Sequence, residues 1–165
     1  MTALRVNTPF GALVLLGSDL GLRRILWPGE PASPFDTAGV ATLQLAADQL
    51  HGYFAGELGV FDLPLDLVGT RLQVEAWRGL AGIPYGTTTT YAAYARRLGR
   101  PNAARAVGSA NARNPLPIVL PCHRLVGSCG ELRGYGGGVD VKRALIEHEA
   151  TALLQRADRS IVRTP

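Results

Sequence analysis

The feature that most constrains the fold is a change of hydrophobic pattern at Val68-Gly69. Before that point the apolar residues fall in strand-like runs around one helical stretch, and after it they recur at helical spacing. From Leu4 to Trp27, two apolar runs flank Gly17-Ser18-Asp19-Leu20-Gly21, which predicts a β-hairpin with a glycine-bounded loop. Pro28 to Pro34 reads as a loop. Val40 to Phe54 sets Leu43, Ala46, Ala47, Leu50 and Phe54 on one stripe, an amphipathic helix that ends near Gly56 and carries His51 on its wet side. Phe61 to Leu67 alternates apolar and polar residues and predicts a further strand.

Downstream, Thr70 is placed to cap a helix through Leu80, with Leu72, Ala76, Trp77 and Leu80 as its buried stripe. Thr90 caps a short helix from Tyr91 to Leu98, Gly99-Arg100-Pro101-Asn102 turns the chain, and a second short helix runs from Ala103 to Ala112. That outline is a helix-turn-helix. The expected fold class is therefore α/β of the α+β kind, with a small N-terminal antiparallel-sheet domain over residues 1–68 and a mostly helical domain over 69–150. Residues 151–165 are expected to form a loosely held tail.

A chain of 165 residues, 47% hydrophobic and 18% charged, can bury a core. Its apolar runs are far shorter than the roughly 20 residues of a membrane helix, and no secretory signal is visible, so a cytoplasmic protein is expected. Residues 1–69 carry three Arg against seven acidic residues, whereas residues 70–165 carry fourteen Lys or Arg against six. A basic half beside an acidic one reads as a footprint for a polyanion, or as an Arg-rich solvated surface. In the second short helix, Ala103 to Ala110 has little bulk, so the backbone can approach a partner closely while Arg105 projects. With the basic half and the helix-turn-helix outline, that favours a DNA contact over tight helix packing.

The chemistry centres on Pro121-Cys122-His123-Arg124, which follows the apolar run Ile118-Val119-Leu120. Read as a strand stopped by proline, that run presents the Cys122 thiol beside a potential base; a small buried thiol is the alternative. Cys129, in a turn-forming stretch, reads as an incidental loop thiol, and the spacing of the cysteines and histidines suits no metal site. No cofactor is called for. Gly134-Tyr135-Gly136-Gly137-Gly138 is too glycine-rich for a helix or a central strand and reads as a loop lying close to something. In the helix from Val139 to about Leu154, Val141, Leu145 and Glu149 share a face, so Glu149 points toward the core and needs a partner. His123 is the candidate; His148, one step round, is expected to be exposed.

Taken in order, Arg105-Ala106-Val107-Gly108, Asn114-Pro115-Leu116-Pro117-Ile118, Pro121 to Arg124, Gly134 to Gly138 and Glu147-His148-Glu149 closely resemble the O6-alkylguanine-DNA alkyltransferases. The resemblance is clear over about residues 70–150 and weaker in Tyr53-Phe54-Ala55-Gly56. It implies a protein that binds double-stranded DNA as a monomer through the helix-turn-helix and rotates the damaged nucleotide out. The alkyl group of O6-alkylguanine, and of O4-alkylthymine, would then move onto Cys122 in one irreversible event. It further implies that His123 acts on the thiol through a water and that Glu149 orients the imidazole. Tyr91 would help turn the nucleotide, Arg105 would fill the vacated stack, and Asn114 would tie the recognition helix to the cysteine segment. Tyr135, Gly136 and Gly137 would wall the pocket, and Ala106, Ser109 and Arg124 join the DNA-facing set. Gly136 departs from members with serine there, which removes a hydroxyl contact. A lesion-binding relative without transfer and a cysteine hydrolase unrelated to DNA are the rival readings.

Overall fold

The computed structural model describes residues 2–31 and 41–161. Parts of the expected Pro28–Pro34 loop, the first residue of the Val40 helix and the last residues of the expected tail lie outside them. Strands β1 (Thr2–Thr8), β2 (Gly11–Ser18) and β3 (Gly21–Leu26) form an antiparallel sheet in the order β1-β2-β3. The expected hairpin is β2–β3, and the first apolar run divides into two strands at Pro9-Phe10. There Thr8 closes the turn, with Oγ1 donating to the Gly11 carbonyl at 2.7 Å and accepting from Phe10 N at 3.2 Å.

Helix α1 (Ala41–Phe54) packs across all three strands. Its buried stripe is Leu43, Ala46, Ala47, Leu50 and Tyr53, so the fully buried aromatic is Tyr53 and Phe54 is half-buried. His51 is exposed as expected, and Gly56 ends the helical run at φ +73°. The strand expected over Phe61 to Leu67 does not form. Leu65 makes a single parallel bridge to Leu22, with Leu22 N donating to the Pro64 carbonyl and Asp66 N to the Leu22 carbonyl, both at 2.9 Å. Pro64 has no N–H to extend a ladder, and the inward-outward alternation holds only as far as Leu65, since Asp66 is buried.

The second part follows its local signals closely. Helix α2 (Arg71–Leu80) starts in a capping box, Thr70 accepting from Gln73 N while the Gln73 side chain returns to Thr70 N. Helices α3 (Tyr91–Arg97), capped by Thr90, and α4 (Ala104–Asn111) form the helix-turn-helix and pack on each other. Trp77 Nε1 donates to the Ala110 carbonyl at 2.8 Å and fastens α4 to α2. Strand β4 (Thr89–Thr90) pairs in parallel with β5 (Leu125–Val126), joining the start of α3 to the residues after the cysteine.

The run Ile118 to Leu120 is a buried turn, not a strand. Pro115, Pro117 and Pro121 remove ladder donors around it, and Leu120 N reaches back to the Leu116 carbonyl at 2.9 Å. Ile118 sits at φ +74°, a conformation rare for a β-branched residue, with its side chain fully buried. Helix α5 extends from Val139 to Ile161, so the described part of the expected tail is helix. It is held there: Ala152 is buried beneath Gly56, and Arg156 Nε donates to the Gly56 carbonyl at 2.8 Å.

Gly21 adopts φ +148°, and a Cβ there would run into the Pro64 carbonyl. Gly21→Ala is expected to cost about 2 kcal/mol or more of unfolding free energy in chemical denaturation, from strain and loss of the β3 bridge.

Candidate active site

Cys122 opens a short 3-10 turn, Cys122–Arg124, presented by the proline-bounded segment rather than by a strand end. The residue is 9% exposed and lines a cavity of about 610 Å³. Asn114, at the end of the segment that leaves α4, donates from Nδ2 to the Leu120 carbonyl at 2.7 Å and to Cys122 Sγ at 3.1 Å. Its Oδ1 accepts from Leu116 N at 3.0 Å, so one amide fixes the backbone turn and touches the sulfur. Burial pushes the Cys122 thiol up, while the Asn114 amide and the Lys142 charge pull it partway back. At neutral pH the thiol is therefore protonated and needs a base to become a nucleophile.

The neighbouring imidazole is held in one tautomer by charge. His123 Nε2 lies 2.7 Å from Glu149 Oε1, with the imidazole fully buried. A carboxylate facing Nε2 keeps a proton on that nitrogen and leaves the lone pair on Nδ1, which has no partner among the described residues. Burial holds His123 below the usual histidine range, despite the opposing pull of Glu149, so the imidazole is neutral and able to accept. For Glu149, burial acts upward but the His123 and Arg124 contacts outweigh it and hold the carboxyl at about 2. Arg124 binds it bidentately, Nε to Oε2 and Nη2 to Oε1, each at 2.9 Å.

The expected site residues separate into three groups. Cys122, Tyr91, Asn114, Tyr135 and Gly136 line the one cavity. Gly137 adjoins it and owes its identity to Trp27, since a Cβ there would lie 2.8 Å from the indole ring. Arg105, Ala106 and Ser109 stand exposed on the outer face of α4, while Val107 and Ala110 face inward. Arg124 is a correction: it is 4% exposed and directed to Glu149 and the Ile83 carbonyl, so it serves the carboxylate and does not face DNA. His148 is another, half-buried with Nε2 2.8 Å from the Tyr53 carbonyl.

Sequence reasoning missed Lys142, whose side chain is fully buried with Nζ 3.1 Å from the Arg133 carbonyl and 3.4 Å from Tyr91 Oη. Burial lowers its pKa and the Cys122 charge opposes that. The available signal was its spacing from Leu145 and Glu149 on one face of α5, and its being a lone lysine among sixteen arginines. Trp27 was missed too; it closes the cavity against Tyr135 at a ring-centroid distance of 5.7 Å.

Two family models match the chain, the 6-O-methylguanine DNA methyltransferase ribonuclease-like domain over residues 5–67 and the DNA-binding domain of the same family over 71–151. The chain belongs to the 6-O-methylguanine DNA methyltransferase family. A methylated-DNA–protein-cysteine methyltransferase of Mycobacterium bovis is 46% identical over 87% of this chain and 89% of its own length. One from Methanosarcina acetivorans is 40% identical over 88% and 96%. The crystal structure of the Mycobacterium tuberculosis OGT in complex with DNA superposes with a TM-score of 0.85 at 43% identity, covering 92% of this chain and 94% of that one.

In this methyltransferase both ionisable partners favour folding less as acid is added. His123 binds its proton more readily unfolded, so stability falls below its ordinary 6.5; Glu149 gives up a further share as pH drops from 4.5 toward about 2. Urea unfolding against pH is expected to show that loss. Glu149→Gln is expected to flatten the lower part and to cost about 3–5 kcal/mol at pH 7 by stranding the buried Arg124 charge.

Proposed function

We propose that this protein repairs DNA by direct reversal, with Cys122 receiving the O6-alkyl group of a guanine turned out of the duplex, once per molecule. The observation that carries the reading is a sulfur on the wall of a 610 Å³ cavity, bonded by Asn114 and followed in the chain by a neutral, carboxylate-backed imidazole. His123 Nδ1 takes the thiol proton through a water, the thiolate attacks the alkyl carbon, the S–C bond forms, and the C–O6 bond breaks. The guanine leaves carrying the electron pair and is reprotonated. The thioether has no leaving group for hydrolysis, so the cycle stops there.

The exposed face of α4 supports minor-groove binding. Small residues there allow the backbone close to the sugar-phosphate edge, and Arg105 projects to occupy the stack that the flipped base vacates. Tyr91 lies between that helix and the cavity, with its ring near Gly108. It guides the turning nucleotide, and the Tyr135-Gly136-Gly137 loop offers backbone donors to the base. Cys122 and Cys129 are free thiols, which suits a reducing cytoplasm.

After incubation with DNA containing O6-methylguanine, mass spectrometry is expected to find one methyl group, on Cys122. Cys122→Ala should bind the same DNA and transfer nothing. A methyl on Cys129, or repeated turnover of the kind a hydrolase shows, overturns the reading. Arg105→Ala is expected to slow repair of duplex DNA by roughly tenfold or more, the equivalent of losing part of a base-flipping cost of a few kcal/mol. The same variant should react with free O6-alkylguanine at the parent rate, a contrast that single-turnover kinetics measures directly.

A further inference from the structure

The carboxylate behind His123 is also held from the N-terminal part of the chain, to which alkyl transfer assigns no task. Tyr53, on α1, is fully buried and donates from its hydroxyl to Glu149 Oε1 at 2.8 Å. That is the same oxygen that His123 Nε2 faces at 2.7 Å. Burial, the Glu149 charge and this hydrogen bond all push the Tyr53 phenol far above its ordinary value, so it stays a donor at every working pH. Its ring is boxed in by Phe54, Phe61, Tyr85 and His148, with centroids 5.2–6.0 Å away, which leaves the hydroxyl one direction to point.

We propose that Tyr53 is a positioning residue that sets the proton affinity of His123 by sharing Glu149 Oε1 with it. The inference rests on the alkyl-transfer reading, in which His123 must be neutral to accept the thiol proton. Oε1 receives Tyr53 Oη, Arg124 Nη2 and His123 Nε2 together. Each donor draws charge from that oxygen, and the less charge it holds, the less it stabilises an imidazolium. The other groups facing the imidazole are Arg124 and Lys142, which both disfavour a second proton, the neighbouring Cys122, and the edge of Tyr135. Tyr85 stands near Glu149 without bonding to it. Among the described residues Glu149 is the anion that favours the imidazolium, so the proton affinity of His123 follows the charge left on its carboxylate. Through that hydrogen bond the N-terminal unit adds to the burial that keeps the imidazole neutral.

Tyr53→Phe keeps the ring and deletes the donor. Single-turnover methyl transfer measured from about pH 5 to pH 9 is expected to show the acid limb moved upward by about half to one pH unit, with the alkaline plateau and DNA affinity retained. Tyr85→Phe, which removes a hydroxyl that does not bond Glu149, should leave the midpoint in place. 3-Fluorotyrosine at position 53, a stronger donor of the same shape, should move it down, and this variant carries the test if the phenylalanine protein folds poorly. A Tyr53→Phe midpoint coincident with the parent overturns the proposal, whatever the loss in Tm. The His123 titration followed by ¹⁵N NMR reads the same shift without any transfer. An inactive parent with a shifted titration overturns alkyl transfer alone; an unshifted titration overturns the role of Tyr53.

Discussion

One buried carboxylate organises the reactive half of the molecule. Glu149 accepts from Tyr53 Oη, His123 Nε2, Arg124 Nε and Nη2, and Gly86 N, so three separate parts of the chain converge on two oxygen atoms of α5. Taking a carboxylate and a guanidinium out of water costs several kcal/mol each, and their attraction returns that only when every lone pair is met. An apolar core of the same volume would be about as stable. What the arrangement supplies is orientation: an imidazole with a defined tautomer, backed by a buried charge.

From that anchor the connections run outward to the helix-turn-helix. The 3-10 turn continues into β5, β5 pairs with β4, and β4 ends at Thr90, the cap of α3. In the other direction Asn114 ties the end of α4 to the Leu120 carbonyl and the Cys122 sulfur. The amide that touches the Cys122 sulfur therefore sits just beyond the end of α4. The left-handed Ile118 lies between these two ties, and its buried side chain, with the prolines on either side, holds the turn against its own strain.

Most helices were legible because their signals are local: Thr70 with Gln73, Thr90, and the stripes through Leu50 and Leu80 act within a turn or two. Cys122, His123 and Glu149 were legible from motif order and from the spacing of Leu145 and Glu149. The two strand errors share a cause. Ile118 to Leu120 and Phe61 to Leu67 both have strand-like side chains, but a strand also needs backbone donors and an edge to pair with, and prolines remove the first. The placement of Arg124 depended on where Glu149 arrives after a connection of more than twenty residues, which no local pattern encodes. Tyr53 and Lys142 each continued a recognised stripe, yet a hydroxyl and an ammonium at such positions look like outliers until their partners are seen.

The burial of Lys142 leaves the described surface with guanidinium as its basic side chain, apart from histidine. An ammonium is a compact, strongly hydrated point charge, whereas a guanidinium is planar, more weakly hydrated and offers its donors in a rigid fork, so this surface meets anions with flat, two-pronged donors. Acylating reagents that seek primary amines find no lysine there to neutralise. The positive charge of that surface is thus out of reach of amine acylation.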